Sequence, residues 1–316
     1  MVPCLTVKLA EGEMHMAESD WRGSFAIPMT PFDDHDRIDE EAYRAELRFC
    51  VESHVGGLCV PLMVSEFFVL SEEERRLMVR IAVEELRGTG IPVIANCAAV
   101  NTPLAVSYAR YMEEVGADAL IAMPPYIQKP DFPTIYNYYK AISDAVNIPI
   151  WIQNAGIAAL SPDEIVKLCS EIEHVSWVKE EVMPSTHSIS ALMAKNCPAI
   201  HGVMGGAGGR YLITERARGS KGVIHACEFC DVVQHIWDLL DAGQQEEAED
   251  LFDRLLPSLD LEGLMGMAYA KEIMVRRGVL KNNRVRSHSR PLDAEDMREI
   301  DRVYKRIEPY LIWHKS

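Results

Sequence analysis

The chain has 316 residues, and its 48 acidic residues outnumber its 32 basic residues, which gives a formal net charge of −16 at pH 7. This charge argues against nucleic acid as a partner, because binding nucleic acid needs a basic face. No run approaches the roughly 20 apolar residues that span a bilayer, and the N-terminal residues lack the basic and apolar segments of a secretory signal, so we expect neither membrane association nor export.

Eight cysteines are scattered along the chain, most of them inside apolar strand or helix patterns. This distribution is typical of reduced, buried thiols and predicts a cytoplasmic protein rather than a disulfide-bonded one. Cys227 and Cys230 have CxxC spacing, but neither a second pair nor a histidine cluster accompanies them in the sequence. We therefore expect both to be packing residues, and we expect no metal site.

From about residue 24, a short apolar strand, a turn and an amphipathic helix follow one another eight times. The predicted strands cover residues 24–32, 57–62, 92–97, 119–125, 149–154, 175–181, 199–205 and 222–227. Helical patterns between them include residues 40–52, 72–86, 103–115, 132–145 and 162–171, with Ser71, Asn101 and Ser161 as N-caps. Near-continuous apolar strands indicate a parallel sheet buried on both faces, and eight of them close a (β/α)8 TIM barrel. A doubly wound sheet would need a glycine-rich loop after its first strand, where this sequence has Met-Thr-Pro-Phe-Asp.

The C-terminal part of the sequence is helical beyond what a barrel needs. Residues 229–307 have a helical pattern with breaks near residues 242–243, Pro257 and residues 286–291, whereas the last strand of a barrel is followed by one helix. We therefore predict a loose N-terminal extension over residues 1–20, a barrel over residues 21–242, and a C-terminal helical segment over residues 243–316 that packs on the barrel.

Lys179 is unusual because it follows four largely apolar positions in the sixth predicted strand. Strand alternation puts Lys179 and Glu181 on the same face, at the C-terminal end where barrel enzymes carry out catalysis. Burial disfavours an ammonium group and leaves more of a lysine as the free amine, which is the form that adds to a carbonyl. The residues alone leave a second interpretation open, in which the two form a buried ion pair without chemistry.

Six segments stand out along the chain, at residues 23–33, 57–75, 122–126, 177–180, 202–206 and 271–278. In their order and spacing, from about Trp21 to Ile307, they resemble the dihydrodipicolinate synthase and N-acetylneuraminate lyase family. The resemblance implies a barrel that binds a small 2-keto acid and forms an imine with it through Lys179. It also implies a homo-oligomer, in this family a tetramer, and no cofactor, because the lysine imine itself serves as the electron sink.

The departures from the family are as informative as the matches. Met63 and Val64 stand where the lysine-biosynthetic synthases have a hydroxyl pair, and Ile127 stands where they have the second of two tyrosines, although Tyr126 keeps the first. The tyrosine-based proton relay is therefore absent, which argues against synthase activity.

The sequence has Ser-Glu at residues 65–66, Ile-Gln-Asn at residues 152–154 and Lys-Glu-Glu at residues 179–181. These short segments resemble the dehydratases of 2-keto-3-deoxy sugar acids, notably the enzymes acting on keto-deoxy-arabonate. The Gly-Gly-Ala-Gly-Gly run at residues 205–209 does not follow the acidic pattern of that branch.

Together, the strand positions and the resemblance predict the site and the reaction. The expected catalytic residues are Lys179, Glu181, Ser65 and Tyr126, and the expected substrate-binding residues are Glu66, Gln153, Asn154, Gly205 and Gly206. Backbone donors near the two glycines are expected to hold the substrate carboxylate. We expect dehydration of a 2-keto-3-deoxy sugar acid through the imine. Pyruvate-dependent aldol chemistry, a synthase-like condensation, and a binding or regulatory barrel without turnover stay open as alternatives.

Overall fold

The computed structural model describes residues 17–287 and 290–315. In this part of the chain eight parallel strands form a closed barrel in sequence order, which confirms the predicted (β/α)8 fold. The strands are β1 (Gly23–Ile27), β2 (Gly57–Val60), β3 (Val93–Asn96), β4 (Ala119–Ala122), β5 (Ile150–Asn154), β6 (Val175–Glu180), β7 (Gly202–Gly205) and β8 (Gly222–Ala226). The helices are α1 (Glu40–Glu52), α2 (Glu72–Leu86), α3 (Thr102–Val115), α4 (Phe132–Ser143), α5 (Pro162–Glu171), α6 (Ser185–Met193), α7 (Leu212–Arg216), α8 (Cys230–Asp241), α9 (Gln245–Met265), α10 (Met267–Arg276) and α11 (Ala294–Ile307).

Side-chain caps begin the helices where the sequence predicts them. Ser71 and Ser161 each accept a hydrogen bond from the third backbone N–H of their helix, and their own backbone N–H groups donate to the side chains of Glu74 and Glu164. These reciprocal bonds are capping boxes, which satisfy two backbone donors that the helix itself leaves unpaired. Asn101 caps α3 with its side-chain oxygen. All three predicted caps are confirmed.

The predicted helix break at Pro257 is wrong, because α9 runs through this residue. A proline inside a helix loses one hydrogen bond and crowds the preceding turn, at a cost of about 3 kcal/mol. Leu255 and Leu259, on either side of Pro257, are buried at 0% and 3% exposure. Burial of such apolar side chains contributes about 1.5–3 kcal/mol each, enough to offset the proline.

Large rings fill the N-terminal end of the barrel. Trp151 and Trp177 stack with their ring centroids 4.8 Å apart, and Trp21 packs 5.9 Å and 5.7 Å from them. Gly202 makes room for this layer, since a Cβ at that position would lie 2.1 Å from the Trp177 ring. Because these rings close the N-terminal end, space for a ligand lies at the C-terminal ends of the strands, as is usual for this fold.

Both ends of the described chain contact the barrel. Of the predicted N-terminal extension, residues 1–16 lie outside the described residues, and Glu18 accepts a hydrogen bond from Trp177 Nε1 at 2.6 Å. At the other end, the Trp313 backbone N–H donates to Asp231 Oδ2 of α8 at 2.9 Å. Earlier in the C-terminal segment, Lys271 of α10 donates to Glu66 Oε1 at 2.6 Å, and both side chains are fully buried. Among the described helices, none has the length and apolar character needed to cross a membrane.

Candidate active site

Lys179 lies at the C-terminal end of β6, in register with Gln153 of β5 and Met204 of β7. Alternation along the strand places it on the same face as Trp177, whose ring is part of the barrel interior. The lysine is 3% exposed, and its Nζ lies 3.2 Å from Glu181 Oε1. The structure therefore brings Lys179 and Glu181 together at the end of the barrel where the sequence predicts them.

Glu181, directly after the last residue of β6, is held by three donors. Its Oε1 contacts Lys179 and accepts a bond from the Ala207 backbone N–H at 3.4 Å, while its Oε2 accepts a bond from Gln153 Nε2 at 2.9 Å. Burial alone would raise the pKa of this carboxyl, but the positive charge of Lys179 and the hydrogen bond from Gln153 outweigh it and lower the pKa. Glu181 is therefore a carboxylate that can accept a proton beside the lysine.

The glycine run after β7 brings the backbone close to these side chains. A Cβ on Gly206 would lie 2.5 Å from Glu181 Cγ, and a Cβ on Gly205 would lie 1.8 Å from Glu215 Oε2. The Gly205 N–H already donates to Ser220 Oγ at 3.1 Å. Both glycines thus make room for carboxyl groups, and the Gly205 amide that we expected to hold a substrate carboxylate has a protein partner.

A cavity of about 530 Å³ opens beside Glu181. Its lining consists of Met63, Phe67, Phe68, Met123, Tyr126, Gln153, Ala155, Gly156 and Glu181. Most of the wall is therefore apolar, and the carboxylate and amide of Glu181 and Gln153 supply polar groups next to Lys179. A keto acid in this cavity would have its reacting carbons at the polar end and the rest of its chain along the apolar wall.

Tyr126, which we expected to be catalytic, lines the same cavity. Its ring packs edge-on against Phe67 with 5.8 Å between centroids. Burial raises the pKa of the Tyr126 hydroxyl, with the charge of Arg75 acting in the opposite direction. The hydroxyl therefore keeps its proton at neutral pH and can donate a hydrogen bond to a ligand.

Ser65 and Asn154, two further predicted site residues, do not line this cavity. The Ser65 hydroxyl donates to the Pro28 carbonyl at 2.5 Å and accepts from the Leu62 N–H at 3.1 Å. The Asn154 side chain donates to Glu180 Oε2 at 2.8 Å, on the face of the sheet opposite Lys179. Both side chains are buried. Ser65 bonds to the backbone of two loops, and Asn154 bonds to Glu180 on the neighbouring strand β6.

Glu66 also lies apart from the cavity, although we expected it to bind substrate. Its Oε1 pairs with Lys271, and its Oε2 accepts bonds from the backbone N–H groups of Arg286 and Ser287 at 2.9 Å and 2.6 Å. Its backbone has φ of +57°, a left-handed conformation that is uncommon outside glycine. Glu66 thus holds the loop after β2 to the C-terminal segment, and both of its carboxylate oxygens have protein partners.

Three carboxyl groups near the site were not among the predicted residues. Glu215 accepts a hydrogen bond from Ser185 at 2.6 Å, and burial raises its pKa to about 7. Glu228 follows the end of β8 by two positions and Glu181 follows the end of β6 by one, so a position just after a strand is a signal that the sequence contains. Glu262 belongs to α9, outside the eight strand–helix units, so no strand position marks it.

Comparison with known proteins gives a family for this architecture. The model of the dihydrodipicolinate synthetase family matches residues 20–307. An L-2-keto-3-deoxyarabonate dehydratase of Azospirillum brasilense is 26% identical over 298 residues, which cover 92% of this chain and 96% of that protein. A 4-hydroxy-tetrahydrodipicolinate synthase of Bradyrhizobium diazoefficiens is 32% identical over 167 residues, which cover 52% of this chain and 55% of the synthase.

Solved structures support the same fold. A dihydrodipicolinate synthase from Rhodopseudomonas palustris superposes with a TM-score of 0.84 at 23% identity, covering 93% of this chain and 99% of that one. The enzyme from Aquifex aeolicus gives a TM-score of 0.84 at 24% identity, covering 92% of this chain and all of the other. At identities below 25%, this similarity establishes only the fold, which is the barrel with its C-terminal helices.

Proposed function

This chain belongs to the dihydrodipicolinate synthetase family and is a lyase; we propose that it acts through an imine between Lys179 and a 2-keto acid, and that it dehydrates a 2-keto-3-deoxy sugar acid. The observation that carries the proposal is the contact of 3.2 Å between the buried Lys179 Nζ and Oε1 of Glu181, which lines the cavity. An amine that forms an imine beside a carboxylate that accepts a proton is the pair that this chemistry needs.

The proposed reaction begins with addition of the Lys179 amine to the C2 ketone and loss of one water to form a protonated imine. Glu181 then removes a proton from C3, which gives an enamine. The electrons of the enamine expel the C4 hydroxyl, which leaves as water after gaining a proton. Hydrolysis of the remaining imine releases the dehydrated keto acid and regenerates the lysine. Because the imine withdraws electrons itself, we propose that the reaction uses neither a metal nor an organic cofactor.

Dehydration is favoured over condensation by the residues around the cavity. Met63 lines the cavity at a position where the synthases of this family have a hydroxyl group. Ile127, which stands where they have a second tyrosine, follows Tyr126 in the chain and is 72% exposed. Neither side chain can transfer a proton, so a tyrosine–hydroxyl relay of the synthase kind is not available. The relative that aligns with nearly its full length is named as a dehydratase, which supports the same choice.

Aldol cleavage is the second candidate, and the apolar wall of the cavity favours it. Phe67, Phe68 and Met123 cannot form strong hydrogen bonds with the hydroxyl groups of a sugar acid. Their apolar side chains would suit a substrate whose cleavage releases an apolar aldehyde. Cleavage of C3–C4 would start from the same imine and would release pyruvate.

A panel of keto acids tests the proposed reaction. We expect the protein to remove one water from a 2-keto-3-deoxypentonate or hexonate without releasing pyruvate, measured by product mass and by a separate pyruvate assay. The Lys179→Ala variant is the matched control. Pyruvate released in proportion to substrate consumed would replace dehydration by aldol cleavage, and no turnover of any member would favour a binding barrel.

We also propose that the protein assembles as a homotetramer. The two most exposed of the described large apolar side chains are Ile127 at 72%, next to Tyr126 in the chain, and Leu264 at 79%, near the end of α9. The resemblance to the family implies a tetramer, and these two side chains are the positions at which we test the contacts between subunits. We expect sedimentation velocity at micromolar concentration to give a tetramer, and Leu264→Arg or Ile127→Asp to yield smaller species. A monomer of the wild-type chain under these conditions would contradict the proposal.

We propose a cytoplasmic location on the basis of the thiols. The seven cysteines within the described ranges are free, and six of them are buried. Cys227, half of the CxxC pair, donates from Sγ to Glu46 Oε1 at 3.1 Å in a fully buried environment. Unpaired, packed thiols of this kind are typical of a reducing compartment.

A further inference from the structure

The loops after β2, β4 and β5 form one continuous apolar wall in the cavity beside Glu181. The residues of this apolar wall are Met63, Phe67, Phe68, Met123 and Ala155. Phe67 and Met123 belong to a small hydrophobic cluster of their own, against which Tyr126 and Ala155 pack. The wall is therefore a built part of the cavity, assembled from three loops.

Phe67 is the fixed part of the apolar wall. Its side chain is 3% exposed, and its ring lies edge-on to Phe68 with 6.0 Å between centroids. The guanidinium carbon of Arg75 lies 5.1 Å from the centre of the Phe67 ring, a favourable contact between a cation and an aromatic face. These neighbours hold the ring in place, so its shape does not depend on a ligand.

Met63 and Phe68 form the exposed part of the same wall. Their side chains are 46% and 45% exposed, although both are large and apolar. Apolar surface gains free energy when it leaves water, so a ligand with an apolar group would bind by covering these two side chains. Methionine is unbranched and adapts its shape to such a group.

The polar groups of the cavity lie on the side of Lys179. Gln153 Nε2 donates to Glu181 Oε2 at 2.9 Å, and Glu181 Oε1 contacts the lysine. The imine carbon and C3 of a substrate therefore lie at this polar side. An ionised carboxylate placed against an apolar surface is strongly disfavoured, so the carboxylate of the substrate points away from the wall. The carbons beyond C4 are then the part that reaches the wall.

One polar group stands beside the apolar wall. Of the nine described residues that line the cavity, only Tyr126, Gln153 and Glu181 have polar side chains other than a thioether. Gln153 and Glu181 bond to each other, which leaves the Tyr126 hydroxyl as the donor for one substrate hydroxyl. A further hydroxyl at the end of the substrate would lose its bonds to water without gaining a partner, which is unfavourable.

We propose that the apolar wall selects the far end of the substrate, and that the substrate is a 2-keto-3-deoxy acid that ends in a methyl or larger apolar group. Met63 and Phe68 are the specificity-determining residues of this site. The inference rests on the imine at Lys179, which is part of the proposed function. Dehydration and aldol cleavage both begin with that imine, so the selection applies to either reaction.

Two keto acids that differ by one terminal hydroxyl test the wall without turnover. 2-Ketoheptanoate and 7-hydroxy-2-ketoheptanoate have no C4 hydroxyl, so each can form the imine but can neither lose water nor be cleaved. We expect half-maximal borohydride trapping on Lys179 at a concentration about 10–10²-fold lower for 2-ketoheptanoate, the usual discrimination of an apolar pocket. Equal concentrations, or a lower one for the hydroxylated acid, would overturn the inference.

Substitution of Met63 assigns this preference to the wall. Met63→Gln keeps the length of the side chain but adds an amide, and we expect it to reduce the preference about tenfold. Met63→Leu keeps the wall apolar and should keep the preference. Met193→Gln is the matched control, since Met193 ends α6 away from the cavity and is 42% exposed. A preference that survives Met63→Gln and Phe68→Ala would contradict the role of the wall.

Turnover provides the same comparison with natural functional groups. We expect a higher kcat/KM for a 2-keto-3,6-dideoxyhexonate than for the 2-keto-3-deoxyhexonate of the same configuration, and a smaller ratio in Met63→Gln. The reverse order in the wild-type protein would overturn the inference.

The outcomes separate this inference from the proposed function and from a second occupant of the wall. If no keto acid forms an adduct on Lys179, the proposed function fails. If adducts form without preference for the apolar end, the function stands and the inference is wrong. If Met63→Gln and Phe68→Ala change the number of subunits in sedimentation and leave the preference unchanged, another copy of the chain covers the wall, which also overturns the inference.

Discussion

Replacing Lys179 by alanine is expected to abolish turnover and to remove the adduct that borohydride traps with pyruvate. The expectation follows from geometry: the amine lies in the barrel interior, 3% exposed, and 3.2 Å from Glu181, which lines the cavity together with Gln153. No other group in the proposed reaction can replace an amine that becomes part of the imine. Peptide mass spectrometry after borohydride treatment should find the adduct on Lys179 in the wild-type chain.

A second lysine provides a matched control for this experiment. Lys221 lies before β8 at the opposite end of the barrel, with its Nζ 5.1 Å from the Trp177 ring. Lys221→Ala should therefore keep both the adduct and turnover. An adduct on Lys271, which is also fully buried but paired with Glu66, would overturn the assignment of the imine to Lys179.

The barrel could be predicted because its signal is local and repeated. Each strand is a short apolar run, each helix begins at a capping residue or a turn, and the eightfold repetition leaves one closed arrangement. The placement of Lys179 beside Glu181 is also local, since alternation on one strand determines it. These features need no knowledge of which distant segments meet.

The roles expected of Ser65, Glu66 and Asn154 rested on short matches to relatives, and their partners come from elsewhere in the chain. Glu66 meets Lys271, which is 205 residues away, and Ser65 meets the Pro28 carbonyl at a separation of 37 residues. A pattern of neighbouring residues cannot reveal that a carboxylate is already paired. It also cannot reveal that a glycine is needed because Glu181 would collide with a Cβ at Gly206.

Glu262 of α9 could not be predicted from the sequence for a related reason. Helical periodicity marks Glu262 as one more polar residue of an amphipathic helix, and only the packing of α9 against the loop after β7 brings it to Arg210. The burial that raises its pKa is a property of the assembled fold. The position of Glu181 just after a barrel strand indicates in the sequence that it lies at the active-site end. A position on a helix outside the strand–helix repeat, as for Glu262, gives no such indication.

Glu181→Gln is expected to keep the trapped imine and to lose about 10²–10⁴-fold in kcat, the usual contribution of a general base. Glutamine preserves the size of the side chain but cannot take the C3 proton. The Lys179 amine itself is unchanged in this variant, so imine formation should not suffer. Borohydride trapping and steady-state kinetics on the same preparation separate the two steps, with the exposed change Glu171→Gln as a control.

The pH dependence of the wild-type enzyme tests the same role for Glu181. Its pKa is lowered, because the charge of Lys179 and the bond from Gln153 outweigh burial. The base form is therefore present above that lowered pKa, and kcat/KM should fall only when the pH drops below the ordinary range of a glutamate. In Glu181→Gln this acidic limb should disappear. A different outcome would contradict this role: Glu181→Gln turns over normally, and Tyr126→Phe has a lower kcat. In that case the C3 proton is removed at the Tyr126 side of the cavity, and Glu181 serves only as the counter-ion of Lys179.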